Sequence, residues 1–319
     1  MRIFVCEYVT GGGFADDSLP SGLLAEGEMM LRALLGDLAA IPGVALRISR
    51  DARLPPIVTP GEIVAVGRRP CWEVWGEEIT AADAVWPIAP ETSGILARLS
   101  DMAAAKILLG ASPEAVRLCA SKTATARRLT AHGIAAVPSF APGEAFTAAH
   151  GVIVKPDDGA GAEGVRFFAD PAAAKLARGT PGLIAQAFIP GAPESLSLLC
   201  RDGKATLLAC NRQITECVAG RFHYRGLVVG GAEEKRPLYA PLAAAIARAI
   251  PGLFGYVGVD LIATGAGPVV LEINPRLTTS YAGLGEALGV NPAALVLALT
   301  AGGASPPAVS ARPVTLALP

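Results

Sequence analysis

The chain has 319 residues and a mass of 32.5 kDa, with 27 Lys and Arg against 28 Asp and Glu, so its formal net charge is −1. Hydrophobic residues make up 52% of it and charged residues 17%, which excludes a disordered chain and supplies a large core. The near-neutral balance excludes a global field for nucleic acid or an anionic membrane, and the length suits two or three domains or lobes.

Residues 2–9 form an apolar run that reads as a strand, ending in the loop Thr10-Gly11-Gly12-Gly13. Leu23, Leu24, Met30, Leu31, Leu34, Leu35 and Leu38 then recur near helical period, which predicts a helix over 21–40. Short apolar strands follow at 45–48, 63–66 and 84–88. Strands alternating with helical stretches predict a parallel sheet with crossover helices, so the N-terminal third reads as one α/β domain. Ser112-Pro113-Glu114 opens a helix with a capping serine and a first-turn proline, and Ser121 caps another that runs from Lys122 to His132-Gly133. A Pro/Gly-rich connection at 141–143 precedes a strand at 152–155. Strands dominate from there, at 183–188, 195–200, 205–210, 256–263 and 269–273, before an extended tail with one short strand at 314–318.

The six cysteines form no CxxC and read as buried thiols of a reducing compartment. No signal peptide precedes the first strand, and the apolar stretch 293–299 is too short to span a bilayer, so a cytoplasmic protein is expected.

The densest chemistry lies in Gly258-Val259-Asp260-Leu261-Ile262, a Gly-rich break at 264–268, and Val269-Val270-Leu271-Glu272-Ile273-Asn274-Pro275-Arg276. Two apolar runs around such a break predict a β-hairpin. With the turn centred on Ala266, Asp260 falls opposite Glu272, at a Cβ separation of roughly 4.5–5.5 Å. Asn274 shares the face of Glu272 because strand side chains alternate. An isolated acidic pair would simply face water; these acids are set among Val, Leu and Ile, where unpaired carboxylates are costly. Two carboxylates and an amide oxygen suit a hard divalent cation carrying phosphates, magnesium with manganese as its substitute. Arg276 stands ready for phosphate oxygens.

Val152-Ile153-Val154-Lys155-Pro156 ends an apolar strand on a lysine, which is costly to bury without an anion. The stretch after it carries Gly159, Gly161 and Gly164, able to turn backbone N–H groups toward phosphate and to move as a lid. No Gly-Lys-Ser/Thr follows, so this is not a Walker A loop. The segment from Leu183 through Gln186, Phe188 and Ile189 to Pro190-Gly191 is a hinge on which a flat base can lie, with Glu194 within reach of ribose hydroxyls. Taken alone, that segment is an ordinary strand and turn, and Lys122 is a solvated helix-start lysine.

Together, and in this order, the pieces resemble the ATP-grasp superfamily of carboxylate–amine ligases over essentially residues 1–300. Within it, the chain is similar to the tyramine–glutamate ligases of methanofuran and methylofuran biosynthesis. That likeness rests on Glu7-Tyr8-Val9-Thr10-Gly11-Gly12-Gly13, Ala25-Glu26-Gly27-Glu28-Met29-Met30, Ala89-Pro90-Glu91-Thr92, Asn211-Arg212-Gln213 and Glu272-Ile273-Asn274-Pro275-Arg276-Leu277-Thr278-Thr279-Ser280-Tyr281. The resemblance implies an α/β ATP-grasp fold: a pre-ATP-grasp domain at 1–112, a lid subdomain at 113–185, and a C-terminal subdomain with the metal hairpin and tail at 186–319. It implies ATP phosphates on Lys122 and Lys155, adenine on Gln186 and Phe188–Ile189, and ribose on Glu194. One departure is visible: the family hinge usually has a single residue between Gly and the ribose Glu, and here Ala192-Pro193 intervene.

The reaction so implied is amide formation through an acyl phosphate, with glutamate and either tyramine or tyrosine as small-molecule substrates. Arg212 and Arg225 are candidates to clamp the amino-acid carboxylate, or are ordinary surface arginines. Thr278, Ser280 and Tyr281 are candidates to line the acceptor pocket. The Gly11–Gly13 loop is either a ligand loop at the end of the first strand or a plain tight turn. It is not a dinucleotide fingerprint, because Asp16 stands where the third glycine belongs. The alternatives are an ATP-grasp ligase for another amino-acid pair and a non-catalytic nucleotide sensor. No nucleic-acid or membrane partner is expected, and a homo-oligomer stays open.

Overall fold

The computed structural model describes all residues except 142, 143, 145, 160–163, 173, 175–179, 304–309 and 319. Residues 2–108 build a parallel sheet from β1 (Arg2–Glu7), β2 (Ala45–Asp51), β3 (Glu62–Val66), β4 (Ala84–Ile88) and β5 (Ile107–Leu108), in the order β3-β2-β1-β4-β5. Its central strand is apolar on both faces because both are covered. Ile3 and Val5 meet Leu31, Leu34 and Leu38 of α1 (Ser21–Ala39). Phe4 and Cys6 meet Trp75 of α2 (Cys71–Ala81) and Leu96 and Leu99 of α3 (Ile95–Met102). The sequence signalled α1 but neither α2 nor α3, whose two or three turns hold too few apolar repeats to set a period.

The Gly11–Gly13 loop is a packed turn. A Cβ on Gly11 would meet the Glu7 carbonyl at 2.3 Å, one on Gly13 the Tyr8 ring at 2.5 Å, and Gly12 has φ +99°.

Two capped helices lead into the second half. Ser112 Oγ accepts from Ala115 N at the start of α4 (Pro113–Ala120), and Ser121 Oγ from Ala124 N at the start of α5 (Lys122–Ala131). The second sheet is antiparallel throughout and contains ten strands among the described residues. These are β6 (Ser139–Phe140), β7 (Val152–Pro156), β8 (Arg166–Phe168), β9 (Leu183–Ala187), β10 (Ala192–Arg201), β11 (Lys204–Val218), β12 (Arg221–Val229), β13 (Gly255–Thr264), β14 (Gly267–Asn274) and β15 (Val314–Ala317). Their path is β14-β13-β10-β11-β12-β8-β7-β9-β6, with β15 added to β12.

Strands do not dominate this half as fully as the sequence suggested. Three helices cover the sheet: α6 (Arg236–Ala249), α7 (Tyr281–Leu288) and α8 (Pro292–Thr300). Helix α6 places Tyr239, Ala243 and Ile246 against Leu196, Leu198 and Leu207, and Pro241 inside it disguises it in the sequence. The pair α7 and α8 is apolar on nearly every side, which erases helical periodicity. Leu284, Ala287 and Val296 pack with Leu31 and Leu34 of α1, joining the two halves. Among the described residues no single helix is long and apolar enough to cross a membrane, and α7 and α8 are bent by 95° at their break.

Hairpin β13–β14 opposes Asp260 to Glu272 and Gly258 to Asn274, the register expected. It reaches that register by another route. Thr264 pairs with Gly267 across a two-residue turn, and a bulge between Asp260 and Leu261 restores the offset.

Candidate active site

A cavity of about 450 Å³ lies between β7 and β9 on one side and the face of β10 to β14 on the other, closed at one end by α1. Asp260, Glu272 and Asn274 converge in it, because opposed and next-but-one strand positions share a face. Asp260 accepts from Gln213 Nε2 at 2.7 Å and from Asn274 Nδ2 at 3.0 Å. Burial and the facing Glu272 carboxylate raise Asp260 well above its ordinary range. Burial would raise Glu272 too, but Lys122 and Lys155 overcome it and hold Glu272 low. Lys122 Nζ lies 3.2 Å from Glu272 Oε2.

The donor set fits a hard divalent cation. It offers two carboxylates and an amide, all oxygen ligands, with a surplus of negative charge that Asp260 already registers. Among the described residues no cluster of three or more His, Cys, Asp or Glu side chains competes with it.

Both lysines face this charge. Lys155, at the end of β7, is buried, and burial lowers its pKa to about 8 against the pull of Glu272, Asp260 and Asp157. Lys122 is buried at the first turn of α5 and donates to the Gly159 carbonyl at 2.5 Å. Asp157 ties the two elements, accepting from Ser121 Oγ at 2.6 Å and from Thr123 N and Oγ1 at 2.9 Å each. Gly159 lines the cavity; Gly164 does not, and packs on Pro156 with φ +71°. Gly161 lies outside the described residues. Gln186, Phe188 and Ile189 line the far wall, where Gln186 donates to Ser139.

Arg276 enters from the turn after β14 with its charge answered by the N-terminal domain. Its Nε lies 3.0 and 3.1 Å from the Glu91 carboxylate oxygens and its Nη2 lies 3.0 Å away. Thr278 and Ser280 line the cavity floor in a hydroxyl network with Ser197 and Tyr256.

Besides Gly164, four expected site residues lie elsewhere. Glu194 points to the opposite face of β10, where Lys235 and Tyr239 hold it buried, while Pro193 and Ser195 line the cavity. The extra hinge residue explains this, since one residue of slip turns a strand side chain to the other face. Arg212 pairs with Glu234 and Arg225 with Glu216, both half exposed and away from the cavity. Their neighbours Gln213 and Tyr224 face inward instead, and Arg225 occupies the bulge between Gly226 and Tyr224. Tyr281 donates to Asp37 of α1 at 2.7 Å and braces the helices. The cysteines also divide: Cys6, Cys119, Cys200 and Cys210 are buried as expected, Cys71 is half-buried, and Cys217 is exposed in the cavity wall.

Residues 119–280 match the ATP-grasp domain family, and residues 44–116 match the pre ATP-grasp 3 domain. The chain belongs to the ATP-grasp family. This ATP-grasp chain is 29% identical over 293 residues to the tyramine–L-glutamate ligase of Methanocaldococcus fervens, covering 88% of its own length and 89% of the relative. The same-named protein of Methanocaldococcus jannaschii is 28% identical over 291 residues, with 88% and 84% covered. Among solved structures, an ATP-grasp superfamily protein from Archaeoglobus fulgidus superposes with a TM-score of 0.75 over 100% of both chains at 22% identity. The L-amino acid ligase of Bacillus licheniformis gives 0.66 over 93% of this chain and 73% of that one at 17% identity. The family and the named relatives make this chain an ATP-dependent carbon–nitrogen ligase, an enzyme class that works on ATP with a divalent metal.

Proposed function

We propose that this ligase activates the carboxyl group of glutamate as an acyl phosphate and joins it to tyramine or tyrosine, as a cytoplasmic step in making a methanofuran- or methylofuran-type cofactor. The observation that carries the reading is the register pair Asp260–Glu272 facing Lys122 and Lys155 across one cavity. The relatives' names supply the substrates.

A carboxylate is a poor electrophile at neutral pH, and phosphorylation makes one of its oxygens a leaving group. The enzyme must bring two anions together, so its work is positioning and charge stabilisation. Asp260, Glu272 and Asn274 would hold magnesium or manganese, which when bound offsets phosphate charge. Lys122 and Lys155 add fixed positive charge from two separate elements, α5 and β7. Gln186 and the Phe188–Ile189 backbone are the groups placed for the adenine. Pro193 and Ser195, rather than Glu194, are the β10 side chains on the nucleotide side. The activated acid must be kept from water, and β7, β9 and α1 supply walls around it.

The test is phosphate release across a panel of amino acids and amines. Release that requires glutamate together with tyramine or tyrosine supports the reading. Release with another pair assigns a different ligase, and release indifferent to both glutamate and amine overturns the reading.

A further inference from the structure

The cavity wall carries one more carboxylate, contributed by the N-terminal half and unused by the chemistry above. Glu26 projects from α1 one turn before Met30, and both side chains line the cavity. Its neighbours on the helix are engaged elsewhere. Glu28 pairs with Arg50 and Arg32, and a Cβ at Gly27 would meet the Glu7 carboxyl at 2.8 Å. That close approach seats α1 on β1 and sets the direction of Glu26.

Among the described residues, the half-buried Glu26 carboxylate has no hydrogen bond and no ion pair. The charged and titratable groups facing it are Arg276, already held by Glu91, and Tyr224, whose hydroxyl is hydrogen-bonded to Thr279 at 3.0 Å. Burial pushes the Glu26 carboxyl up, and Arg276 pulls it back only in part. An anion withdrawn from water with no partner is unfavourable, and the cavity is the direction from which a cation can come. The wall beside it is apolar: Met30 and Leu227 belong to one packed cluster, with Tyr224 lying against it. A lone carboxylate next to an apolar wall is complementary to an ammonium group on an aryl-alkyl body.

We propose that Glu26 binds the ammonium group of the acceptor amine and takes its first proton. This rests on the ligase reading above. The ammonium nitrogen cannot attack until a proton leaves it, and Glu26 receives that proton. The freed lone pair forms the C–N bond at the acyl-phosphate carbon, the C–O bond to phosphate breaks, and the second proton leaves with the phosphate. Atoms and charge balance with no further reactant.

The experiment compares two nucleophiles in the same enzyme. Hydroxylamine is small and neutral at pH 7, needs no ammonium site, and traps the acyl phosphate as a hydroxamate. Glu26→Gln is expected to lower kcat/KM for the amine by about 100-fold, with a rise in amine KM of about tenfold. The ATP KM and the hydroxamate rate should stay within about twofold, and Glu26→Asp should recover part of the amide rate. Amide formation at the wild-type efficiency in Glu26→Gln overturns the proposal. So does an equal loss of hydroxamate and amide, which would place Glu26 on the acid substrate or in the scaffold. Failure of the wild-type enzyme to make hydroxamate from glutamate or any other amino acid strikes the ligase reading itself, and with it this one.

Discussion

Hairpin β13–β14 and the pair β11–β12 frame the same cavity with similar means. Each is antiparallel, and each carries a bulge. Their charges point in opposite directions. In β13–β14 the carboxylates Asp260 and Glu272 turn inward among apolar neighbours. In β11–β12 the ions Arg212, Glu216 and Arg225 turn outward into surface pairs, and the inward residues are Gln213, Thr215 and Tyr224. Charge alone therefore does not mark a functional face. Register does, and a bulge or an inserted residue resets it.

The sharpest way to break this contrast is to remove an inward charge. Glu272→Ala should lower amide formation by about 10³-fold or more while the far-ultraviolet dichroism stays that of the folded protein. Turnover within tenfold of wild type would mean that the inward acids hold no metal.

Lys155 gives the next largest effect, through pH. Its folded pKa is lowered to about 8, so in the free enzyme it is charged below that pH and neutral above. Phosphate binds the charged form. ATP affinity should hold its full value below about pH 8 and weaken as pH rises beyond it, and Lys155→Ala should bind ATP about 10- to 100-fold more weakly with that pH dependence gone. Calorimetry that shows the same pH dependence in Lys155→Arg, which stays charged, would assign the titration elsewhere.

Glu194 tests the face to which the extra hinge residue turned it. Glu194→Gln should cost about 1–2 kcal/mol of stability by weakening its buried hydrogen bonds to Lys235 and Tyr239, read by urea denaturation. ATP affinity should not change; a loss there would return Glu194 to the ribose. The smallest effect belongs to the outward arginines. Arg212→Ala and Arg225→Ala should each leave activity within about twofold and stability within about 0.5 kcal/mol, because exposed pairs contribute little. A large rise in the glutamate KM in either variant would erase the distinction between the two hairpins.

The legible parts of this protein are those where pattern and chemistry coincide. The parallel sheet, helix α1 and the two serine caps follow from periodicity and from Ser112 and Ser121. The facing of Asp260 and Glu272 followed from counting, although the count assumed a wider turn and no bulge, and the two departures offset one another. Helices α7 and α8 were illegible because a helix buried on all sides has no polar stripe to set its period. Arg212, Arg225 and Glu194 were each misplaced by one position, since a strand's alternation cannot be phased without its neighbours. Glu26 and Gln213 stood in segments the sequence had already singled out, but their roles depend on contacts between elements distant along the chain.

The bond between Glu91 and Arg276 spans 185 positions of the chain and joins the first domain to the catalytic sheet. Any shortened protein beginning at α4 would leave that guanidinium without its counter-charge. The N-terminal half thus sets the position of a cavity-lining arginine, and grafting this sheet onto a foreign partner would demand an acid at the same spot.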